Sequence, residues 1–171
     1  EGSLQMALAT SERQSRFDLA AIATTAEARE TGWSIAGTKT MVGNGDRADR
    51  LFVTARTSGQ AGEREGISLF MVAANQPGVA IRGFRLHDGR GAAEIGFDNV
   101  MVGPEALVGG EGQGLALVEA AIEHGNAALC AEAVGSCDHV LATTIAYLKT
   151  REQYGAPLAK LQVLQHRVAE M

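Results

Sequence analysis

The chain has 171 residues, 46% of them hydrophobic, and a formal net charge of −5, which is enough apolar side chain to bury the core of one domain or one and a half. An acidic balance with no basic block gives no electrostatic basis for binding nucleic acid. No apolar run reaches the roughly 20 residues of a membrane span and no basic, apolar leader opens the chain, so a cytoplasmic protein is expected.

Residues 1–31 mix Ser, Thr, Ala and charge, with a strand expected at Gln5 to Thr10 and a polar loop at Ser11 to Asp18. From Gly32 the pattern is one of strands and turns. Trp33-Ser34-Ile35 alternates, Ala36-Gly37-Thr38-Lys39 has turn chemistry, and Thr40-Met41-Val42 starts a second strand that Gly43-Asn44-Gly45 ends; together these predict a hairpin. Leu51 to Ala55 and Ile67 to Val72 are apolar and β-branched and read as core strands on either side of a hydrophilic loop, Ser58 to Gly66. Val79 to Arg82 follows a Gln76-Pro77-Gly78 turn, and Ala93 to Phe97 alternates with its apolar set on one face. Short strands without a helix between them predict an antiparallel β sandwich or open barrel over residues 32–102.

The glycine run Gly109 to Gly114 precedes a helix but lacks the Lys-Ser/Thr of a phosphate-binding P-loop and has no parallel β-α-β unit around it. From Leu115 to about Thr150 apolar residues recur at three- and four-residue steps, which predicts a helix of roughly 35 residues, near 50 Å long. Its apolar stripe requires partner helices. Cys130 and Cys137 lie seven apart on it, about 10 Å along the axis, and cannot bridge each other. His87, His124, His139 and His166 are scattered without metal-ligand spacing, so no metal site is expected. The chain starts at Glu1 and stops at Met171 inside an amphipathic pattern with no C-cap signal, the expectation for a piece cut at both ends.

The long helix is expected to stop where Gly155 supplies a left-handed C′ position, with Pro157 two residues on. Arg151 then falls in the last turn, either as an ordinary charge complementing the helix dipole or as a fork for a phosphate or carboxylate. The run R-E-Q-Y-G-A-P-L-A-K-L-Q with V-L-Q-H-R-V-A-E-M after it resembles the R-x-Q-F-G-x-P-L-x-x-F-Q signature of the acyl-CoA dehydrogenase family. The resemblance spans essentially the whole chain. It implies an α+β fold: residues 1–103 as the middle β domain, an antiparallel sandwich or barrel, and residues 104–171 as the first long helices of a C-terminal four-helix bundle, with the N-terminal helical domain missing. It further implies an FAD-dependent enzyme that removes hydrogens from Cα and Cβ of an acyl-CoA, works as a homo- or hetro-oligomer with another such subunit, and passes electrons to an electron-transfer flavoprotein. L-F-V-T-A-R-T-S-G, E-I-G-F-D-N-V, A-A-L-C-A-E-A-V-G and Q-V-L-Q-H-R look most like the small subunit of pimeloyl-CoA dehydrogenase-type enzymes.

By residue-for-residue match, Arg151 and Gln162 would reach across a subunit interface to the diphosphate and adenosine side of FAD, with Tyr154 in place of the usual Phe. The family's T-E-P-x-A-G-S-D loop is S-E-R-Q-S-R-F-D here, which makes Ser11 the candidate for the flavin pyrimidine, and Ala20 to Ala26 is where the family's next strand would lie. The family's W-I-T-N-G is Met41-Val42-Gly43-Asn44-Gly45, so that Met41 pads a ring edge where Trp would stack and Gly43 offers an amide where Thr would offer a hydroxyl. The usual catalytic Glu lies downstream of Met171. The helix position that carries it in a minority of relatives aligns with Gly125, and a family Arg there with Asn126, leaving Glu119, Glu123 and Glu132 as solvated or interface charges. Two functions stay open: a catalytic dehydrogenase subunit, and a non-catalytic subunit that completes a partner's flavin site. Oxidation of the acyl-CoA by oxygen is a third.

Overall fold

The computed structural model describes residues 2–171, which divide into two compact units after Ala120. In the first, eight strands run in chain order: β1 (Met6–Ala9), β2 (Thr25–Arg29), β3 (Gly32–Gly43), β4 (Arg50–Arg56), β5 (Ile67–Ala73), β6 (Val79–Arg85), β7 (Gly91–Val102) and β8 (Leu107–Val108). They form one sheet in the order β6-β7-β3-β2-β4-β5-β8, with β1 paired to β4. Among the described residues no helix interrupts positions 32–102. The sheet curls on itself: Ile35, Val42, Leu51, Val53, Phe70, Val72, Ile95 and Val100 from strands far apart in that order share one core, and Trp33 of β3 meets Phe70 of β5 edge-on at 5.4 Å. This is the expected α+β sandwich or barrel. Most pairings are antiparallel, but β1 and β2 each run parallel to β4.

The hairpin expected within 33–42 does not form. Residues 32–43 are a single twelve-residue strand that hairpins with β2 and pairs along its length with β7, with irregularities between Ile35 and Gly37 and between Lys39 and Val42. What reads as turn chemistry is a close approach: at Gly37 (φ +148°) an added Cβ would stand 2.5 Å from Thr24 Oγ1 and 2.7 Å from Thr24 Cα, so only glycine lets the strand pass.

The strand expected at Ala20 to Ala26 starts only at Thr25. Ala20 and Ile22 instead enter a second small core with Ile67 and Leu115, and their carbonyls are claimed by Arg56. The buried Arg56 guanidinium donates to the carbonyls of Ile22 (3.1 Å), Ala20 (2.9 Å), Glu63 (2.9 Å), Glu65 (3.0 Å) and Ser58 (3.4 Å). One side chain thus satisfies, for two loops, the acceptors a ladder would otherwise pair.

Helix α1 spans Gly114–Thr150, 37 residues, about 55 Å at 1.5 Å per residue. Leu115 and Val118 are buried in its first turns, whereas Leu129 and Val140 of the expected apolar stripe are exposed, as are Val134 and Tyr147 outside it. Cys130 and Cys137 are both free and exposed. Among the described residues no helix is long and apolar enough to cross a membrane.

Helix α1 does not end on a glycine cap. The Arg151 amide donates to the Tyr147 carbonyl and the Thr150 hydroxyl to those of Ala146 and Tyr147. A small hairpin follows, β9 (Glu152–Gln153) against β10 (Ala156–Pro157), turned by Tyr154 (φ +55°) and Gly155 (φ +77°). Two successive left-handed residues give the two-residue turn whose twist matches a hairpin. Gly155 is left-handed as expected, but it closes this hairpin, and Arg151 lies one residue past the helix instead of in its last turn. A 3₁₀ turn, Leu158–Lys160, leads into α2 (Gln162–Glu170).

Candidate functional site

The loop after β1 lies along β3 and is fastened to it by three consecutive residues. Lys39 Nζ donates to the Thr10 carbonyl (3.4 Å), the Thr40 amide to the Ser11 carbonyl (2.9 Å), and Lys39 Nζ again to Glu12 Oε1 (2.7 Å) and Thr54 Oγ1 (3.0 Å). Lys39 is fully buried and Glu12 nearly so. The Glu12 carboxylate also accepts from the Thr24 amide (3.0 Å), the Ala23 amide (2.8 Å) and Gln14 Nε2 (2.6 Å). Ser15 braces the loop from within: its hydroxyl accepts from the Glu12 amide and donates to the Glu12 carbonyl.

Burial and pairing pull the two ionisable groups in distinct ways. For Glu12, burial raises the pKa, but the Lys39 charge and the hydrogen bonds it receives outweigh that and bring it from 4.5 down to about 2. For Lys39 burial is the larger effect, and it lowers the pKa from 10.5 to about 8 although Glu12 pushes it up. The carboxylate has three other donors, while the ammonium otherwise has only two neutral oxygens, so the cation is the less comfortable member.

Above this pair the strand end presents the candidate residues of the first unit. On β3, Lys39 pairs with Ile95 and Val42 with Ala93, three steps against two, so one extra residue bulges. Met41 takes a left-handed conformation there (φ +53°) and is 57% exposed, a costly backbone for a non-glycine residue and one that concentrates at functional positions. Gly43 has open space where a Cβ would point. Ser11, half-buried, is tied to the same stretch through its carbonyl, and among the described residues its hydroxyl has no partner. A hydroxyl, an exposed thioether and an open glycine on two segments tied together by the Thr40–Ser11 bond fit the edge of a flat, amphipathic ring. A cleft of about 560 Å³ beside Gly43 is bordered by Asp46, Arg47, Asp88 and Arg90, but Arg47 and Arg90 are already paired with Asp46 and Asp88.

The second unit holds the other three candidates. Arg151 is exposed at the base of the hairpin, its carbonyl accepting from the Leu158 amide. Tyr154 is 93% exposed at the turn, and Gln162 is the exposed first residue of α2. The hairpin thus carries Arg151 at its base and Tyr154 at its turn. Along α1, Gly125, Asn126, Glu123 and Glu132 are all exposed, and Glu119, in the first unit, is bound to Arg64 Nη2 at 2.6 Å, which raises the Arg64 pKa through that hydrogen bond.

Sequence reasoning missed Lys39, placed in a turn, and gave Glu12 no role beyond a match. Their bond joins positions 27 apart, beyond any local periodicity; the only signal was a lysine between threonines in a run that otherwise reads as strand. It also missed Arg56, whose acceptors are irregular loop carbonyls.

Residues 7–100 match the family described as acyl-CoA dehydrogenase, middle domain, and residues 112–171 that described as acyl-CoA dehydrogenase, C-terminal domain. An acyl-CoA dehydrogenase of Bacillus subtilis (strain 168) is 32% identical over 169 residues, which cover 96% of this chain and 44% of that protein. Among solved structures, glutaryl-coenzyme A dehydrogenase in its glutaryl-CoA complex superposes with a TM-score of 0.86 at 28% identity over 96% of this chain and 42% of that one. PigA with FAD and proline superposes with a TM-score of 0.91 at 25% identity over 96% of this chain and 44% of that one. The chain therefore spans less than half the length of the relatives it matches.

Proposed function

The chain belongs to the acyl-CoA dehydrogenase family, and on that premise we propose that it is part of an FAD-dependent subunit catalysing α,β-dehydrogenation of a CoA thioester. The observation that carries this reading is the bond from the Thr40 amide to the Ser11 carbonyl beside the β3 bulge, which ties the loop of the Ser11 hydroxyl to the strand of left-handed Met41 and open Gly43. When bound, FAD supplies the acceptor for the hydride leaving the substrate β-carbon. The Ser11 hydroxyl donates to a pyrimidine carbonyl, Met41 pads the ring edge and excludes water from it, and Gly43 admits the ring close to the strand. Arg151 presents paired donors to the diphosphate of a flavin held mainly by a partner subunit, with Tyr154 packing beside it and Gln162 on the adenosine side. The base that takes the α-proton belongs to a part of the protein outside these residues. Electrons pass to an electron-transfer flavoprotein. Within the family we favour a dicarboxyl-CoA such as pimeloyl-CoA, in keeping with the resemblance to pimeloyl-CoA dehydrogenase-type small subunits.

A non-catalytic subunit is the second reading, favoured by one observation: in α1 neither Gly125 nor Asn126 carries a carboxylate, and Glu119 is committed to Arg64. Anaerobic addition of pimeloyl-CoA to the purified native protein separates the two. Bleaching of the flavin absorbance supports the dehydrogenase. Flavin that no CoA thioester bleaches supports the structural subunit, and protein that neither holds nor takes up flavin refutes both.

A further inference from the structure

The candidate flavin contacts of the first unit come from segments 30 positions apart, Ser11 and Met41, and a hydrogen bond to a ring weakens steeply when its donor moves by an ångström or misaligns. Apolar packing does not hold the Ser11 loop. Arg13, Gln14, Arg16 and Phe17 are exposed, and between Ser11 and Asp18 only Glu12 and Ser15, both polar, are buried. The loop's position rests on its polar ties, most of which converge on Glu12 and Lys39. A buried ion pair is a poor source of stability, since desolvation offsets its attraction, but losing one partner is costly, so it tolerates few alternative placements.

Resting on the flavin-binding reading above, we propose that Glu12 and Lys39 are positioning residues for the cofactor: by clamping Thr10, Ser11 and Glu12 onto Lys39 and Thr40, the buried pair fixes the Ser11 hydroxyl relative to the Met41 side chain. Neither side chain reaches the surface, so their action on a ligand passes through Ser11 and the β3 bulge.

The test is a double-mutant cycle on the native protein, read as the FAD dissociation constant by fluorescence quenching and as the visible circular dichroism of the bound flavin. Ser11→Ala and Lys39→Met each weaken FAD about tenfold, the size of one lost hydrogen bond. Combined, they also weaken it about tenfold, because the hydroxyl is already misplaced when Lys39 is gone. Lys39→Met further alters the flavin dichroism in the way Ser11→Ala does. Glu12→Gln/Lys39→Met, which buries no unpaired charge, serves where the single variant is too unstable to purify, and it shows the same lack of additivity with Ser11→Ala. A combined loss of about a hundredfold, or unchanged FAD affinity on losing Lys39, overturns the inference alone and leaves flavin binding standing. Native protein without affinity for FAD overturns the functional reading as well.

Discussion

Removing either member of the Glu12–Lys39 pair leaves a buried charge behind, and the two removals differ in a way the structure fixes. The fall of the Glu12 pKa from 4.5 to about 2 corresponds to roughly 3 kcal/mol of stability, present above pH 4.5 and lost as the pH falls toward 2. The fall of the Lys39 pKa from 10.5 to about 8 has the opposite sign: the unfolded chain holds the proton more tightly, so a cost of roughly 3 kcal/mol stands below pH 8 and is relieved as the pH rises toward 10.5. Lys39→Met leaves a carboxylate that keeps the Ala23 and Thr24 amides and Gln14, so it costs about 3 kcal/mol, the low end for a broken buried pair. Glu12→Gln leaves the ammonium with the Thr10 carbonyl, the Thr54 hydroxyl and an amide oxygen. Without its counter-charge Lys39 titrates lower still, and this variant gains stability from pH 7 to pH 9 because the unfolded chain stays protonated. Urea denaturation followed through Trp33, the one tryptophan, which packs on the core of this unit, measures both. Two single variants within about 1 kcal/mol of the wild type, or a Glu12→Gln protein that loses stability between pH 7 and 9, would refute the reasoning.

Arg56→Lys offers at most three donors to the five carbonyls now bound and lowers stability by about 3 kcal/mol, with faster proteolysis inside residues 58–66 as a second readout. Gly37→Ala drives a methyl group into Thr24 and costs about 2 kcal/mol or more by overpacking and backbone strain; a thermal melt equal to that of the wild type would contradict it. Arg151→Ala weakens FAD binding to the assembled protein by roughly 1.5–3 kcal/mol, the value of a hydrogen bond to a charged group, measured by calorimetric titration, while Arg151→Lys keeps the charge without the fork and costs less. Neither change moves the melting temperature of the cofactor-free protein, since Arg151 is exposed and, among the described residues, only its backbone is bonded.

The parts of the fold legible in the sequence are those written in side-chain periodicity. Ala93 to Phe97 alternates and is buried on one face, and Ile67 to Val72, apolar but for Ser68, lies in the interior except at Met71; β5 and β7 follow directly. Where composition misled, a residue was chosen for a contact distant in the chain. Gly37 carries the composition of a turn but answers to Thr24, 13 residues earlier. Ala20 to Thr24 carries the composition of a strand, yet its Ala20 and Ile22 carbonyls are taken by a guanidinium that no ladder pattern announces.

The candidate site follows the same logic with higher stakes. Ser11, Met41 and Gly43 could be named because each occupies a recognisable place in a short run, but the Ser11 loop is tied to the strand of Met41 and Gly43 by a lysine and a glutamate 27 positions apart. Such a bond leaves no trace in a window of neighbours, since its two halves look like a strand polar residue and a loop charge. At Arg151 the position in the run was readable and the geometry was not. A glycine two residues before a proline suits a helix cap as well as a hairpin, and the choice fell to Tyr154, which is left-handed as well. With two left-handed residues in succession the chain reverses into β10, and Arg151 leaves the helix for the foot of that reversal. The Arg151 backbone there is held at both ends, its amide on the Tyr147 carbonyl and its carbonyl by the Leu158 amide, so it is fixed before any phosphate arrives. That lowers the ordering cost of binding and is the physical reason the hairpin, more than the helix dipole, should govern how tightly Arg151 holds its ligand.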